Sequence, residues 1–155
     1  KIMTEEIKNK ITSWRNFEGL EPSLRKELES LTEEKLVDAF YTDLAFGTGG
    51  LRGVMGVGTN RMNIYVIQKA TYGFYLYMKE HFDNLETRGV VISYDCRHHS
   101  FDFAKAAAAV LGAAGVKVYL FSSLRPTPEL SFAVRYLKCA GGIMVIKFTI
   151  VKVAN

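Results

Sequence analysis

The sequence predicts an α/β fold: a three-layer α/β/α sandwich with a mixed, mainly parallel sheet, preceded by a helical N-terminal arm. Two observations lead to this prediction. Residues 90–145 alternate between short apolar runs, typical of buried strands, and longer helical patterns. Such strand–helix–strand connections are right-handed and place helices on both faces of a sheet. Residues 1–43 show helical patterns alone, and 155 residues with 48% hydrophobic content suffice for one buried core.

Three helices are expected in the arm, which we assign to residues 1–43. Thr4 precedes two glutamates as an N-cap, and Ile7, Ile11 and Trp14 then fall on one face. A second helix is predicted after Pro22 and a third from Thr32. We expect the arm to pack on the rest of the chain and to carry no chemistry. Residues 44–155 are predicted to form a single globular unit.

Helices and strands alternate along this second unit. A long helix is predicted over 64–83 despite Gly73, with its tyrosines in packing roles rather than on a stacking platform. Strands follow at 90–94, 118–121 and 143–145, with helices between them at 103–114 and from Thr127 to about 137. Ser100 is the expected N-cap of the first of these helices, and Gly112 or Gly115 its stop.

This order predicts where a ligand would bind. In open α/β sheets, ligands lie outside the carboxyl ends of the strands. That rule gathers residues 95–100, residues 122–127 and the segment after Val145 along one rim. Helix N-termini at Ser100 and Thr127 face the same rim, and their free amides favour an anion.

Residues 46–53, FGTGGLRG, form the segment with the strongest functional signal. Its glycines allow positive φ and close approach to a ligand, while Thr48 and Arg52 offer a hydroxyl and a planar guanidinium. An anion, above all phosphate, suits this combination. The segment lacks the Gly-Lys-Ser/Thr of a P-loop, and Arg52 stands where a dinucleotide fingerprint needs glycine. A turn without function is the alternative.

FGTGGLRGVMGVGTNRMN resembles the opening of the α-D-phosphohexomutases, the phosphoglucomutase and phosphomannomutase superfamily, and most closely the phosphoglucomutase branch with a long helical N-terminus. Three further segments resemble the same family in the same order: VVISYDCRHHS at 90–100, RPTPELSFAV at 125–134 and AGGIMV at 140–145. The resemblance covers one family domain out of four, so the later domains are expected to be absent from this sequence.

The resemblance implies a chemistry. Family members move a phosphoryl group between the 1- and 6-positions of a hexose phosphate through a phosphoserine, with glucose 1,6-bisphosphate as intermediate and activator and Mg²⁺ as cofactor. It places Arg52 near the reacting phosphoryl group, with Thr48, Gly49 and Gly50 as further phosphate contacts. Arg61 is a weaker candidate for the same role, and the alternative is that it bridges loops.

The resemblance ends after Val145. The family's phosphoserine position falls on Phe148, which has no nucleophile. We therefore expect no intact catalytic residue and no activity from this chain alone, with no bound Mg²⁺. A truncated, frame-shifted or altered sequence would explain the ending. The alternative function is a non-catalytic module that binds phosphate or a phosphosugar, or that assembles with other chains.

Three residues are expected to support the site without contacting the ligand. Asp95 and Arg97 follow a strand and are predicted to brace the rim by a salt bridge, and Thr127 caps the helix beside them. His98 and His99 are interpreted as surface residues, because no carboxylate is identifiably placed to orient them. Together with Cys96 they are too crowded in sequence to converge on one tetrahedral metal ion.

Charge and composition limit the classes of molecule that this protein is expected to bind. Residues 1–43 carry 10 acidic and 7 basic side chains, a net −3, and the remaining residues carry +7. A positive domain suits a sugar phosphate, whereas nucleic acid is disfavoured because no dense basic run is present. No apolar run is long enough for a bilayer, and no signal peptide is apparent, which indicates a cytoplasmic protein without a membrane partner. We assign no disulfide to Cys96 and Cys139, and we expect self-association through surface that later domains normally cover.

Overall fold

The computed structural model describes residues 1–46, 50–97, 99–123, 127–146 and 149–154. Seven helices and five strands lie in these ranges. The helices are α1 (Glu5–Asn16), α2 (Pro22–Ser30), α3 (Glu33–Phe40), α4 (Ile64–His81), α5 (Leu85–Arg88), α6 (Ser100–Ala113) and α7 (Thr127–Tyr136). The strands are β1 (Leu51–Arg52), β2 (Val90–Tyr94), β3 (Val118–Leu120), β4 (Gly141–Ile146) and β5 (Thr149–Ala154). Within these ranges, every helix falls short of the length or the hydropathy that a bilayer span requires.

The five strands form one mixed sheet in the order β1-β5-β4-β2-β3. Strand β2 pairs in parallel with β3 and β4, whereas β5 pairs antiparallel with both β4 and β1. Four of the strands therefore run in one direction and only β5 is reversed. The predicted mixed, mainly parallel sheet is confirmed.

Helices cover both faces of this sheet. On one face, Ile92 of β2 and Ile143 of β4 share a core with α4 and α6. On the other face, Val91 and Met144 pack against Leu130 and Val134 of α7. Alternate residues of a strand point to opposite faces, so β2 is buried throughout. These layers confirm the predicted three-layer α/β/α sandwich.

The first three helices form a hydrophobic cluster of their own. Thr4 and Thr32 cap α1 and α3 by accepting backbone N–H bonds from Ile7 and Lys35. The buried side chains of the cluster come from all three helices, from Leu20 between α1 and α2, and from Val57 of the second unit. The helical ones are Ile7, Ile11, Leu28, Leu36, Val37, Ala39 and Phe40. The helical arm is thus present, while its boundary at residue 43 stays a prediction.

The arm holds the segment that follows β1. The Glu27 carboxylate accepts the Val57 N–H at 3.2 Å, and the Ala39 carbonyl accepts the Asn60 N–H at 2.9 Å. Gly58 lies so close to α3 that an added Cβ would overlap the Ala39 carbonyl oxygen. Residues 53–63 are therefore fixed between the arm and the sheet.

Several predicted boundaries differ from the observed ones. Helix α6 begins at Ser100, so Ser100 is not its N-cap; that position belongs to His99, at φ +70, whose side chain makes no capping hydrogen bond. The Ser100 hydroxyl is instead used by the preceding loop, where it donates to Asp95. Strands β1 and β5 and the short helix α5 were not predicted.

Candidate functional site at the carboxyl edge of the sheet

The carboxyl ends of four strands meet at one edge. Strands β2, β3 and β4 end there at Tyr94, Leu120 and Ile146, and β1, which runs in the same direction, ends at Arg52. In the register, Thr149 faces both Arg52 and Ile146. Neighbouring strands lie about 4.8 Å apart, so the Arg52 backbone is roughly 10 Å from the end of β4. The fold thus brings Arg52 to the predicted rim.

Arg52 is placed by the residues on either side of it. Gly50 adopts φ +102, a backbone conformation that favours glycine. Leu51 then points into the core and is fully buried, which turns Arg52 outward to solvent. In the described part of the chain, no carboxylate lies within ion-pair distance of Arg52. Its guanidinium is therefore available to an external anion.

Arg61 has a different environment. Its guanidinium forms an ion pair with Asp38 of α3 at 2.5 Å and donates to the Asn60 carbonyl at 3.0 Å. The side chain is 20% exposed, and Arg61 lowers the pKa of the Asp38 carboxyl through the hydrogen bond between them. This geometry favours the alternative in which Arg61 bridges the arm and the loop rather than binding phosphate.

Asp95 organises the loop after β2. Its carboxylate accepts the Ser100 hydroxyl at 2.6 Å and the Arg97 backbone N–H at 3.1 Å, and it forms an ion pair with the Arg97 guanidinium at 3.4 Å. The Asp95 N–H also donates to the Val145 carbonyl, which ties the loop to β4. The expected salt bridge between Asp95 and Arg97 is present, and the contacts of the Asp95 carboxylate stabilise the loop at the rim.

His99 does have a neighbouring carboxylate, contrary to our expectation. Its Nδ1 lies 3.7 Å from Asp102, one turn into α6. A cavity of about 610 Å³ opens beside it, lined among others by Met55, Gln68 and Asp102. The sequence did not indicate this cavity, because it depends on tertiary contact between the residues after β1 and α6.

Some predicted site residues lie outside the described residues. These are Thr48 and Gly49 in the glycine run, His98, and Phe148 at the expected phosphoserine position. Thr127 is described by its backbone only, as the first residue of α7. Their roles stay predictions.

The described residues offer no assembled metal site. Within the described ranges, no three His, Cys, Asp or Glu side chains are grouped as metal ligands. The single acidic residue of the rim loop, Asp95, already accepts three donors. We therefore assign no Mg²⁺ position and derive no step through Mg²⁺.

A family model described as "Phosphoglucomutase/phosphomannomutase, alpha/beta/alpha domain I" matches residues 43–146. The chain belongs to the phosphoglucomutase/phosphomannomutase family. The match covers the glycine-rich segment and the four strands whose carboxyl ends form the rim. It ends just after Val145, where the resemblance in the sequence also ends. The superfamily and the first-domain assignment predicted from the sequence are confirmed.

Individual family members agree with this assignment. The chain is 47% identical over 106 residues to a phosphoglucomutase of Staphylococcus haemolyticus, covering 68% of this chain and 19% of that protein. It is 42% identical over 119 residues to a phosphopentomutase of Homo sapiens, covering 73% and 19%. A crystal structure from Thermus thermophilus, described as a phosphomannomutase, superposes with a TM-score of 0.57 at 34% identity, covering 66% and 22%. This family domain spans about a fifth of the length of these relatives.

Proposed function

We propose that this phosphomutase-family domain binds a phosphate group of a sugar phosphate at the carboxyl edge of its sheet, with Arg52 as the principal cation. The observation that carries the proposal is the position of Arg52: exposed, unpaired among the described residues, and at the end of a strand that points to the rim. A guanidinium binds phosphate oxygens bidentately and with charge-assisted hydrogen bonds. Thr48, Gly49 and Gly50 are proposed to add donors to the same group.

The surrounding charge supports an anionic ligand. The excess of basic residues lies in residues 44–155, the part of the chain that holds the rim. The Asp95 carboxylate holds Arg97 and Ser100, so the Arg97 side chain, 52% exposed, lies at the same edge. An excess of positive charge raises the local concentration of a doubly negative ligand.

We further propose that the family reaction, phosphoryl transfer between the 1- and 6-positions of a hexose phosphate, does not proceed on these 155 residues alone. Residues 146–155 contain no serine, and Phe148 stands at the position that the resemblance assigns to the phosphoserine. The phenyl side chain has no nucleophilic oxygen to accept a phosphoryl group. A coupled assay of glucose 1-phosphate conversion should show no turnover by the purified chain or by Phe148→Ser. Turnover by either protein would contradict the proposal.

Binding is tested separately from catalysis. Glucose 1,6-bisphosphate titrated into ¹⁵N-labelled protein should shift the backbone resonances of Gly50, Arg52, Arg97 and Ser123 in a saturable manner. Resonances of Arg135 to Lys138, at the opposite end of α7, serve as the internal control and should not move. Saturable shifts confined to that opposite end would contradict the proposed site. Addition of MgCl₂ alone should shift none of these resonances, because we expect this chain to bind no Mg²⁺.

The proposal includes an expected cellular location and expected binding partners. We expect a cytoplasmic protein whose partner is a sugar phosphate, without nucleic-acid or membrane partners. In a filter-binding assay at low salt, tight retention of nucleic acid with a steep loss of affinity on adding salt would contradict this expectation.

The alternative, a module that assembles with other chains, has one observation in its favour. Phe132 and Tyr136 on the outer face of α7 are 59% and 73% exposed, and their rings stack with centroids 5.6 Å apart. Exposed aromatic patches mark protein contacts. Sedimentation of the wild type and of a Phe132→Ser/Tyr136→Ser double variant tests it: self-association that this variant abolishes would support assembly through α7.

A further inference from the structure

A cavity of about 860 Å³ lies between the helical arm and the second unit. Its lining comes mainly from α1, residues 43–46 and α4, so it adjoins the first residue of the glycine-rich segment; among the described residues it includes neither Arg52 nor a residue of the loop after β2. Small-molecule sites typically measure about 300–1,000 Å³ and favour the junction between two structural units. The cavity has the size and location of a ligand site that the proposed function does not use.

The floor of the cavity is a flat stretch of α4. Ala70 and Gly73 lie there one turn apart, and a Cβ built on Gly73 would meet no atom within 4 Å. Glycine inside a helix costs about 0.5–1 kcal/mol relative to alanine. No packing neighbour accounts for the glycine at this position among the described residues. The absent side chain leaves room for a molecule to lie directly on the helix backbone.

Aromatic rings form the walls. Trp14 and Phe17 of the arm stand on one side, and Phe74 and Tyr77 of α4 on the other. The arm rings are held in place by Tyr65, which contacts each of them edge-on with ring centroids 5.6 Å apart. The Tyr65 hydroxyl donates to the Gly19 carbonyl at 3.0 Å, so this ring is itself anchored. A flat floor between fixed aromatic walls suits a planar aromatic ring, which gains from edge-to-face and offset contacts.

The charges at the mouth of the cavity balance. Among the described residues that line the cavity, the charged ones are Asp43 and Lys69, which pair at 3.1 Å. Outside the lining, Asp43 also pairs with Lys10 at 3.1 Å, and Lys10 pairs with Glu6 at 3.4 Å. The lining therefore carries one cation and one anion, and neither sign is in excess. Ser13 and Asn16, which line the same cavity, add a hydroxyl and an amide at its edge. These groups complement a neutral ligand that carries a polar substituent.

We propose that the cavity between α1, residues 43–46 and α4 is a binding site for an uncharged, planar aromatic molecule with a polar substituent. The ring lies on the Ala70–Gly73 floor between Trp14 and Tyr77, and its substituent reaches Ser13 or Asn16. The proposal does not depend on phosphate binding at Arg52.

The single tryptophan of the chain makes the site directly observable, because Trp14 lines it. The probe is N-phenyl-1-naphthylamine, a neutral aromatic amine that accepts energy from excited tryptophan. Titration should quench Trp14 emission and raise probe emission with saturation at one equivalent. Gly73→Leu fills the floor and should weaken binding roughly tenfold or more, equivalent to about 1.4 kcal/mol.

Gly112→Leu is the matched control. Gly112 also lies inside a helix, and a Cβ there likewise meets nothing within 4 Å, but it does not line the cavity. This variant should bind the probe as the wild type does. Ser13 is an exposed residue on the opposite wall of the cavity. If circular dichroism shows that Gly73→Leu is unfolded, Ser13→Leu serves as a second variant that blocks the cavity.

Three results would overturn the proposal. The first is an absence of saturable energy transfer from Trp14. The second is wild-type probe affinity in whichever blocking variant is folded. The third is tighter binding of the anionic analogue 8-anilinonaphthalene-1-sulfonate than of the neutral probe, which would contradict a site with balanced charge.

Discussion

Gly58 is the residue whose replacement should be least tolerated. It adopts φ +126, and an added Cβ would overlap the Ala39 carbonyl oxygen, which α3 and the Asn60 N–H hold in place. Gly58→Ala should therefore lower the free energy of unfolding by about 2–4 kcal/mol. Urea denaturation measures this loss.

Gly112→Ala provides the comparison for that experiment. It places the same methyl group in open space within α6. The free energy of unfolding should stay at the wild-type value or rise by up to about 1 kcal/mol. A Gly58→Ala protein as stable as the wild type would contradict the close contact between the loop and α3.

The two cysteines should differ strongly in reactivity. Cys96 is exposed in the loop after β2, whereas Cys139 is fully buried beneath α7. Burial raises the pKa of the Cys139 thiol, against the opposing effect of Arg88 and Lys117. Since the thiolate is the reactive form, Ellman's reagent should modify one thiol rapidly and the other about 100-fold more slowly. Cys96→Ser should remove the fast phase; a fast phase that persists would contradict these environments.

Arg52, in the glycine-rich segment, and Arg61, which follows that segment, show what residue-level inspection can predict. Arg52 was a candidate for phosphate because a guanidinium in a glycine-rich segment suits that anion, and Arg61 was a weaker candidate with a loop-bridging role as the alternative. The sequence could not show that Asp38, far away in the chain, pairs with Arg61. The sequence analysis also missed the contact between His99 and Asp102, for a different reason: this local contact depends on the left-handed backbone of His99 at the start of α6.

At the scale of elements, the helical arm is a support for the loop after β1. Asp38 of α3 joins the arm to this loop through its ion pair with Arg61 at 2.5 Å, and within the arm it also pairs with Lys1 at 3.0 Å. The hydrogen bond from Arg61, followed by that from Lys1, lowers the pKa of the Asp38 carboxyl from its ordinary value of 3.8. The ionised carboxylate therefore stabilises the folded chain.

A lowered carboxyl pKa sets the direction of the pH dependence. The contribution of Asp38 is complete above about pH 4 and is lost as the pH falls through the folded-state pKa, below 3.8. Asp38→Asn should thus be less stable than the wild type at pH 7, by less than about 1 kcal/mol because the carboxylate is half exposed. The difference should shrink below pH 3.8, as measured by urea unfolding at both pH values. An unchanged difference at low pH would contradict a stabilising role for the charge.

The predictability of the elements depended on their length and on the contacts they need. Helices α1 and α3 were predicted because their caps, Thr4 and Thr32, and their apolar stripes are local. Strand β1 has only two residues, too few to show an alternation of apolar and polar side chains. Strand β5 did carry a signal, since most of Thr149–Ala154 is β-branched, but it was read only as a departure from the family pattern. Its pairing between β4 and β1 depends on tertiary structure.

For the whole molecule, the alternation of strands and helices was enough to predict the three layers and the ligand-facing rim. The order of the strands in the sheet could not be predicted from this alternation, because β1 reaches the rim only through β5, which joins β1 to β4. This arrangement places Arg52, from the start of the second unit, beside loops that follow strands late in the chain. The claim that this rim binds phosphate through Arg52 is the central one.

Isothermal titration of glucose 1,6-bisphosphate into the wild type, Arg52→Ala and Arg135→Ala tests that claim most directly. Arg135 is an exposed arginine near the end of α7, so both variants remove the same charge from a solvent-facing position. We expect Arg52→Ala to weaken binding at least about tenfold, the effect of losing a charge-assisted bidentate contact, and Arg135→Ala to bind as the wild type does. Equal affinities for the wild type and Arg52→Ala would contradict phosphate binding by Arg52.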